Sequence, residues 1–242
     1  AGRARREALE EEEELALRGQ GMGKLWDLTS IQGQSEVVVP GDTVPAVFWN
    51  AVRQRGPKVW LRQKHLGLWR SMSWDETAQA VREIAHGLMA LGLAPGQTVS
   101  ILANTVVEWV LADLAVLSCG GVCSGIYPTD APPQVHYLCE DSATRVLFVE
   151  DEEQLDKALE VRERLPQLQR IVVFDMEGLH NLDDPGVIGL DALRAMGREH
   201  LAAHPKLLDE RVADVGGVPR ARHGLGRGDP RPRRRHPRRV RG

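Results

Sequence analysis

The chain has 242 residues, 42% of them apolar and 27% charged, which is ordinary for one large soluble domain or a domain with disordered ends. Its three cysteines, Cys119, Cys123 and Cys139, form no C-x-x-C pair and have no His beside them at metal-site spacing. That excludes a disulfide framework and a cysteine metal site, and leaves small buried side chains in a reduced compartment. The net charge of −3 is unevenly spread: from Asp214 onward there are ten Arg, no Lys and two acids, a balance of +8 that leaves −11 for residues 1–213.

Residues 1–21 hold the acidic run Glu10–Glu14 and an Arg-rich start, and read as a solvated leader outside the core. They lack the apolar stretch of a signal peptide, and Met22 is the expected natural start. From Val59 the pattern predicts two short strands joined by a turn at Gly67. Ser73 and Glu76 stand at the S-x-x-E spacing of a capping box. The helix they open puts Ala78, Val81, Ile84, Ala85, Leu88 and Leu91 on one face, and Gly92 and Pro95-Gly96 end it.

Thr98–Ala103 follows as an apolar strand, then a helix capped by Thr105 and Glu108 and running to about Cys119. Gly120-Gly121 breaks that helix, V-C-S-G-I makes the next strand, and Pro132-Pro133 fits the first turn of another helix. Arg145–Glu150 and Ile171–Phe174 read as strands around a helix over Glu152–Arg164. Further helices are expected near Leu190–Arg198 and Leu201–Val212. Strands alternating with helices of this length predict an α/β fold with a mainly parallel sheet of βαβ units. The apolar run Val106–Ile126 has the length of a membrane span, but Glu108 and Asp113 interrupt it. A central Asp alone costs about 2.5–3.5 kcal/mol on insertion scales, so a buried helix and strand are expected instead.

The order of these signals carries a resemblance. S-W-D-E-T, at Ser73–Thr77, looks like an S-W/Y-x-E-L helix start. L-G-L-A-P-G-Q-T-V-S-I-L-A-N, at Leu91–Asn104, looks like L-G-x-x-x-G-D-x-V-A-I-x-x-N, with Gln97 in place of the usual Asp. E-W-V-L-A-D-L-A and G-G-V-C-S-G-I-Y-P-T continue in step, from Glu108 to Thr129. Together they resemble the N-terminal part of the acyl-adenylate-forming (AMP-binding) ligases, and the Glu108-Trp109 pair with Tyr127-Pro128-Thr129 favours the long-chain fatty acyl-CoA synthetase branch.

The resemblance implies residues 22–212 as an incomplete N-terminal AMP-binding domain, followed by an Arg/Gly/Pro-rich tail, 213–242, expected to be disordered. It implies, for the full-length family, ATP, Mg and CoA as cofactors and a long-chain fatty acid as substrate. The family's Thr/Ser/Gly-rich phosphate loop ending in Lys is not found here. The last hydroxyl residue is Thr144, and the only Lys after Glu150 are Lys157 and Lys206, neither beside a Gly. No residue of this chain is therefore assigned a catalytic, cofactor-binding or metal-binding role, and the chain is expected to be inactive alone. The abrupt change of composition is expected to be a frameshift.

The remaining candidates have plainer readings. His65, His86, His136 and His180 are scattered and read as solvated or structural. Glu108 and Asp113 could mark a polar pocket, but capping and solvent exposure explain them more simply. Tyr127 is expected to pack on the core, and the six tryptophans to fill core and subdomain contacts rather than an acyl-chain site. Expected partners beyond the family's substrates are a second copy, through exposed core surface, and peripheral contact with a membrane from a cytoplasmic location. The alternatives are a non-catalytic interaction module, or non-specific polyanion binding by the Arg tail without specific nucleic-acid recognition.

Overall fold

A computed structural model of the chain describes residues 41–215. The expected leader, the Met22 start, Trp26 and everything from residue 216 lie outside the described residues. The elements run α1 (Val44–Arg55), β1 (Val59–His65), β2 (Leu68–Ser73), α2 (Trp74–Ala90), β3 (Thr98–Leu102), α3 (Val107–Ser118) and β4 (Val122–Ile126). They continue with α4 (Pro132–Asp141), β5 (Val146–Val149), α5 (Glu152–Arg162), β6 (Arg170–Val173), β7 (Val187–Gly189), α6 (Leu190–Ala203) and α7 (Leu207–Val215).

Strands β3 to β7 form one parallel sheet in the order β4-β3-β5-β6-β7. Alternation of side chains splits its apolar residues between two layers of helix. Val99, Ile101, Val146, Phe148 and Val172 face α1, α2, α3 and α6. Leu102, Leu147, Val149, Ile171 and Val173 face α4 and α5. The fold is thus α/β and doubly wound, as the strand-helix alternation predicts. Ser100, buried in β3, is satisfied by Thr144 at 2.6 Å, and Thr144 in turn meets Ser142 at 2.8 Å. The last hydroxyl of the chain therefore belongs to the core.

Several expectations hold in detail. The capping box is complete: Glu76 N–H donates to Ser73 Oγ (3.2 Å) and Ser73 N–H to Glu76 Oε2 (2.7 Å). The face Ala78, Val81, Ile84, Ala85 and Leu88 is buried, while Leu91, at the helix C-cap, is half-buried. All three cysteines are free; Cys119 and Cys139 are buried and Cys123 half-buried.

Others need correction. The α3 N-terminus carries no side-chain cap from Thr105 or Glu108, because its N-cap position falls on Val106. Gln63 Oε1, from β1, accepts the Val107 N–H at 2.8 Å instead. Asp113 is half-buried rather than solvent-facing, because α3 packs on the sheet beside Cys123. Tyr127 does not pack on the core: it is 76% exposed, since the chain leaves the sheet just after β4. Two elements, α1 and β7, have no counterpart in the sequence reading.

Helix α1 is held by aromatic contacts that only folding creates. Phe48 of α1 lies 5.6 Å from Trp60 and 6.3 Å from Trp74, ring centre to ring centre, and Trp60 and Trp74 stack on each other at 4.2 Å. Trp49 Nε1 donates to Ser118 Oγ at 3.1 Å, tying α1 to α3. Trp69 is the exception among the described tryptophans, at 69% exposure.

Candidate functional site

In an open parallel sheet, binding crevices form outside the carboxyl ends of the strands, where successive connections leave for opposite faces. Here that point lies between β3 and β5, because α3, which follows β3, and α5, which follows β5, pack on opposite faces. The residues just past the two strands are joined across it. Glu150 Oε2 accepts both the backbone N–H of Asn104 (2.6 Å) and its side-chain amide (2.9 Å).

A cleft of about 590 Å³ opens on this edge, roofed by the β1–β2 hairpin. Leu61, Gln63, Arg70 and Met72 line one wall, and Glu108, Glu150, Asp151 and Asp175 bring carboxylates to the other side. Three of these carboxylates hold backbone. Glu150 fixes the loop after β3, Asp151 caps α5 by accepting the Gln154 N–H at 3.1 Å, and Asp175 accepts the Glu177 N–H at 2.9 Å. A second cleft of about 480 Å³ lies beyond β3 and β4, lined by Asn104, Thr105, Trp109, Ile126, Tyr127 and Pro128.

These residues do not fit a nucleotide triphosphate and its Mg²⁺. A phosphate cradle offers free backbone N–H groups and a cation. At the first cleft the strand-end N–H groups already serve carboxylates, and four acids face one Arg. Among the described residues no group of three or more His, Cys, Asp or Glu is placed to hold a metal ion. Lys157 is committed elsewhere, donating to Pro128 O at 2.7 Å and pairing with Glu153 at 3.1 Å.

The histidines divide. His136 is half-buried on α4 and His180 exposed. His86 is fully buried, and its Nδ1 lies 2.9 Å from Nδ1 of His200, whose ring is followed by His204 at 4.7 Å. Burial, the positive charges of His200, Arg82 and His204, against Asp209, push His86 down to about 4. His200 is lowered by burial and His204. Burial, with the Asp113 carboxylate adding to it, pushes the Cys123 thiol up, and burial raises Cys119 and Cys139 to about 11. Thiols held protonated are poor nucleophiles.

Sequence reasoning missed the Asn104–Glu150 link, Gln63 and the His86–His200–His204 row. The first was within reach, since residues following adjacent parallel strands converge on one edge. The His row was not, because 114 residues separate His86 from His200.

Comparison with known proteins agrees with this architecture. The AMP-binding enzyme family matches residues 37–199, and the chain belongs to that family. The long-chain-fatty-acid–CoA ligase ACSBG2 of Xenopus laevis is 32% identical over 139 residues, 57% of this chain and 19% of that protein. ACSBG1 of Homo sapiens, also a long-chain-fatty-acid–CoA ligase, is 30% identical over 132 residues, 54% of this chain and 18% of its own length. The chain thus spans about a fifth of these relatives. The crystal structure of the anthranilate CoA ligase AuaEII superposes with a TM-score of 0.55 at 23% identity, over 62% of this chain and 27% of that one. Acetoacetyl-CoA synthetase from Streptomyces lividans gives 0.55 at 24% identity, over 61% and 24%. Both show the same fold.

Proposed function

We propose that this chain is the N-terminal portion of a long-chain fatty acid–CoA ligase, and that the residues binding the nucleotide are not among those it contains. The observation that carries the reading is the similarity to long-chain ligases at 30–32% identity, on a sheet of the same fold. In the reaction proposed for the whole protein, a fatty acid carboxylate oxygen attacks the α-phosphorus of ATP and pyrophosphate leaves. The CoA thiol sulfur then attacks the acyl carbon, AMP leaves, and the thiol proton passes to solvent. Mg²⁺ belongs to that whole-protein chemistry.

The part proposed for the described residues is structural. They hold the carboxyl edge of the sheet in place and roof it with the hairpin. The acidic first cleft supports this, because an unscreened carboxylate about 4 Å from a phosphate opposes binding by about 4 kcal/mol at an effective dielectric of 20. Above about Asp214 the Arg-rich composition supports a shifted reading frame, in which the coding DNA encodes a hydroxyl- and glycine-rich loop ending in Lys.

The experiment is complementation. The chain is mixed with a polypeptide carrying the remaining C-terminal part of a long-chain ligase, then given ATP, Mg²⁺, CoA and palmitate. Acyl-CoA is expected from the mixture and not from either piece alone. Acyl-CoA from the isolated chain would overturn the assignment of its role.

A further inference from the structure

We propose that the β1–β2 hairpin is a docking surface for an anionic phospholipid bilayer. Its two faces differ. Register pairs Leu61 with Met72 and Gln63 with Arg70, and these residues line the cleft. The opposite face pairs Arg62 with Ser71, which also reaches the cleft, and Lys64 with Trp69, and Arg62, Lys64 and Trp69 are all exposed.

The tip adds Leu66 at 89% exposure and Leu68 at 73%. Leu66 also sits at φ 48°, in the left-handed region, followed by Gly67 at φ 81°. A two-residue hairpin turn of this kind favours Asn or Asp before Gly, so a large apolar side chain here serves neither the turn nor the core. From Lys58 to Ser73 there are four cations, Lys58, Arg62, Lys64 and Arg70, and no acid.

Leucine and tryptophan at a projecting tip, flanked by cations, match the bilayer interface. Apolar groups and the indole settle at headgroup depth while Lys and Arg reach lipid phosphates. A second copy docked through the same hairpin would set four cations against four. A nucleic acid would gain phosphate contacts but nothing from the two leucines. The anionic bilayer is the occupant that satisfies both the charge and the apolar tip.

The test uses the whole 242-residue chain, sedimented with vesicles of phosphatidylcholine and phosphatidylserine and with vesicles of phosphatidylcholine alone. Two double variants, Leu66→Asp with Trp69→Asp and Arg62→Glu with Lys64→Glu, alter only exposed positions and keep the Arg-rich tail as an internal control. Circular dichroism checks that each keeps its fold. A cation near an anionic surface is worth roughly fivefold in binding, so removing two should weaken binding at least about 25-fold. The apolar variant should lose at least about tenfold, from the transfer of two large side chains.

Loss in both variants, with mixed vesicles preferred, is the expected result. Unchanged binding in either variant overturns the proposal. Loss only in the charge variant would mean simple polyanion attraction, and loss in neither would mean attachment by the tail. Failure of the parent chain to bind mixed vesicles overturns it as well. So does sedimentation velocity, without vesicles, showing a dimer that either variant dissolves.

Discussion

Glu150 shows how a functional-looking acid at a sheet edge is tied to structure. One of its oxygens receives two N–H groups of Asn104, so it closes the loop between β3 and α3 across the switch point. Replacing it with Ala leaves both donors to water and should cost about 1.5 kcal/mol, the low end for hydrogen bonds to a charged group because water reaches the site. A urea melt measures this. A buried base behaves differently. His86 is held neutral in a packed site, with its Nε2 lacking a partner among the described residues. A base lowered from 6.5 to about 4 takes up its proton more readily in the unfolded chain. The stability it supports is whole above pH 6.5 and is lost as pH falls toward 4, by roughly 3 kcal/mol in all. Chemical melts across that window should lose most of this slope in His86→Phe; an unchanged slope would place the titration elsewhere.

Helix α2 and helix α6 approach more closely than side chains would allow, and two glycines permit it. A Cβ on Gly197 would lie 1.8 Å from the carbonyl oxygen of Glu83 and 2.9 Å from the Gly87 nitrogen. Gly87 is equally closed, 2.5 Å from the carbonyl oxygen of Leu193. Backbone cannot yield as a side-chain end does, so Gly197→Ala must push the helices apart. A loss of about 3 kcal/mol or more is expected, read as a lowered denaturant midpoint. The same interface buries Glu83, which accepts from Arg194 Nε at 2.8 Å and Arg198 at 3.2 Å.

At this scale the sequence was most legible where local chemistry decides. The Ser73–Glu76 cap, the α2 stripe and the Pro132 helix start all follow from spacing. It was silent on α1, whose Val, Phe and Trp residues declare a helix only once Trp60 and Trp74 supply their partners. Three-residue β7, preceded by Gly186 and ending on Gly189, reads as a turn until β6 lends it hydrogen bonds. The candidate site was less legible than the fold. Asn104, Glu150 and Gln63 meet only because the sheet brings distant strand ends together, and Tyr127 points outward because the strand before it ends at the edge of the sheet.

For the whole molecule, family membership and the proposed inactivity of the isolated chain rest on different observations. The AMP-binding match over residues 37–199 and the doubly wound sheet define what the chain is. The acid-lined cleft, the core position of Thr144 and the structural contacts of Lys157 bear on what it does alone. Its charge is divided as well, with +8 from Asp214 onward and −11 before it, so association with polyanions should fall steeply with salt. The proposed inactivity is best tested by pyrophosphate exchange into ATP by the purified chain, with palmitate and Mg²⁺ present. No exchange above the protein-free blank is expected. Palmitate-dependent exchange would show that the chain makes an acyl-adenylate by itself, and would overturn the proposal.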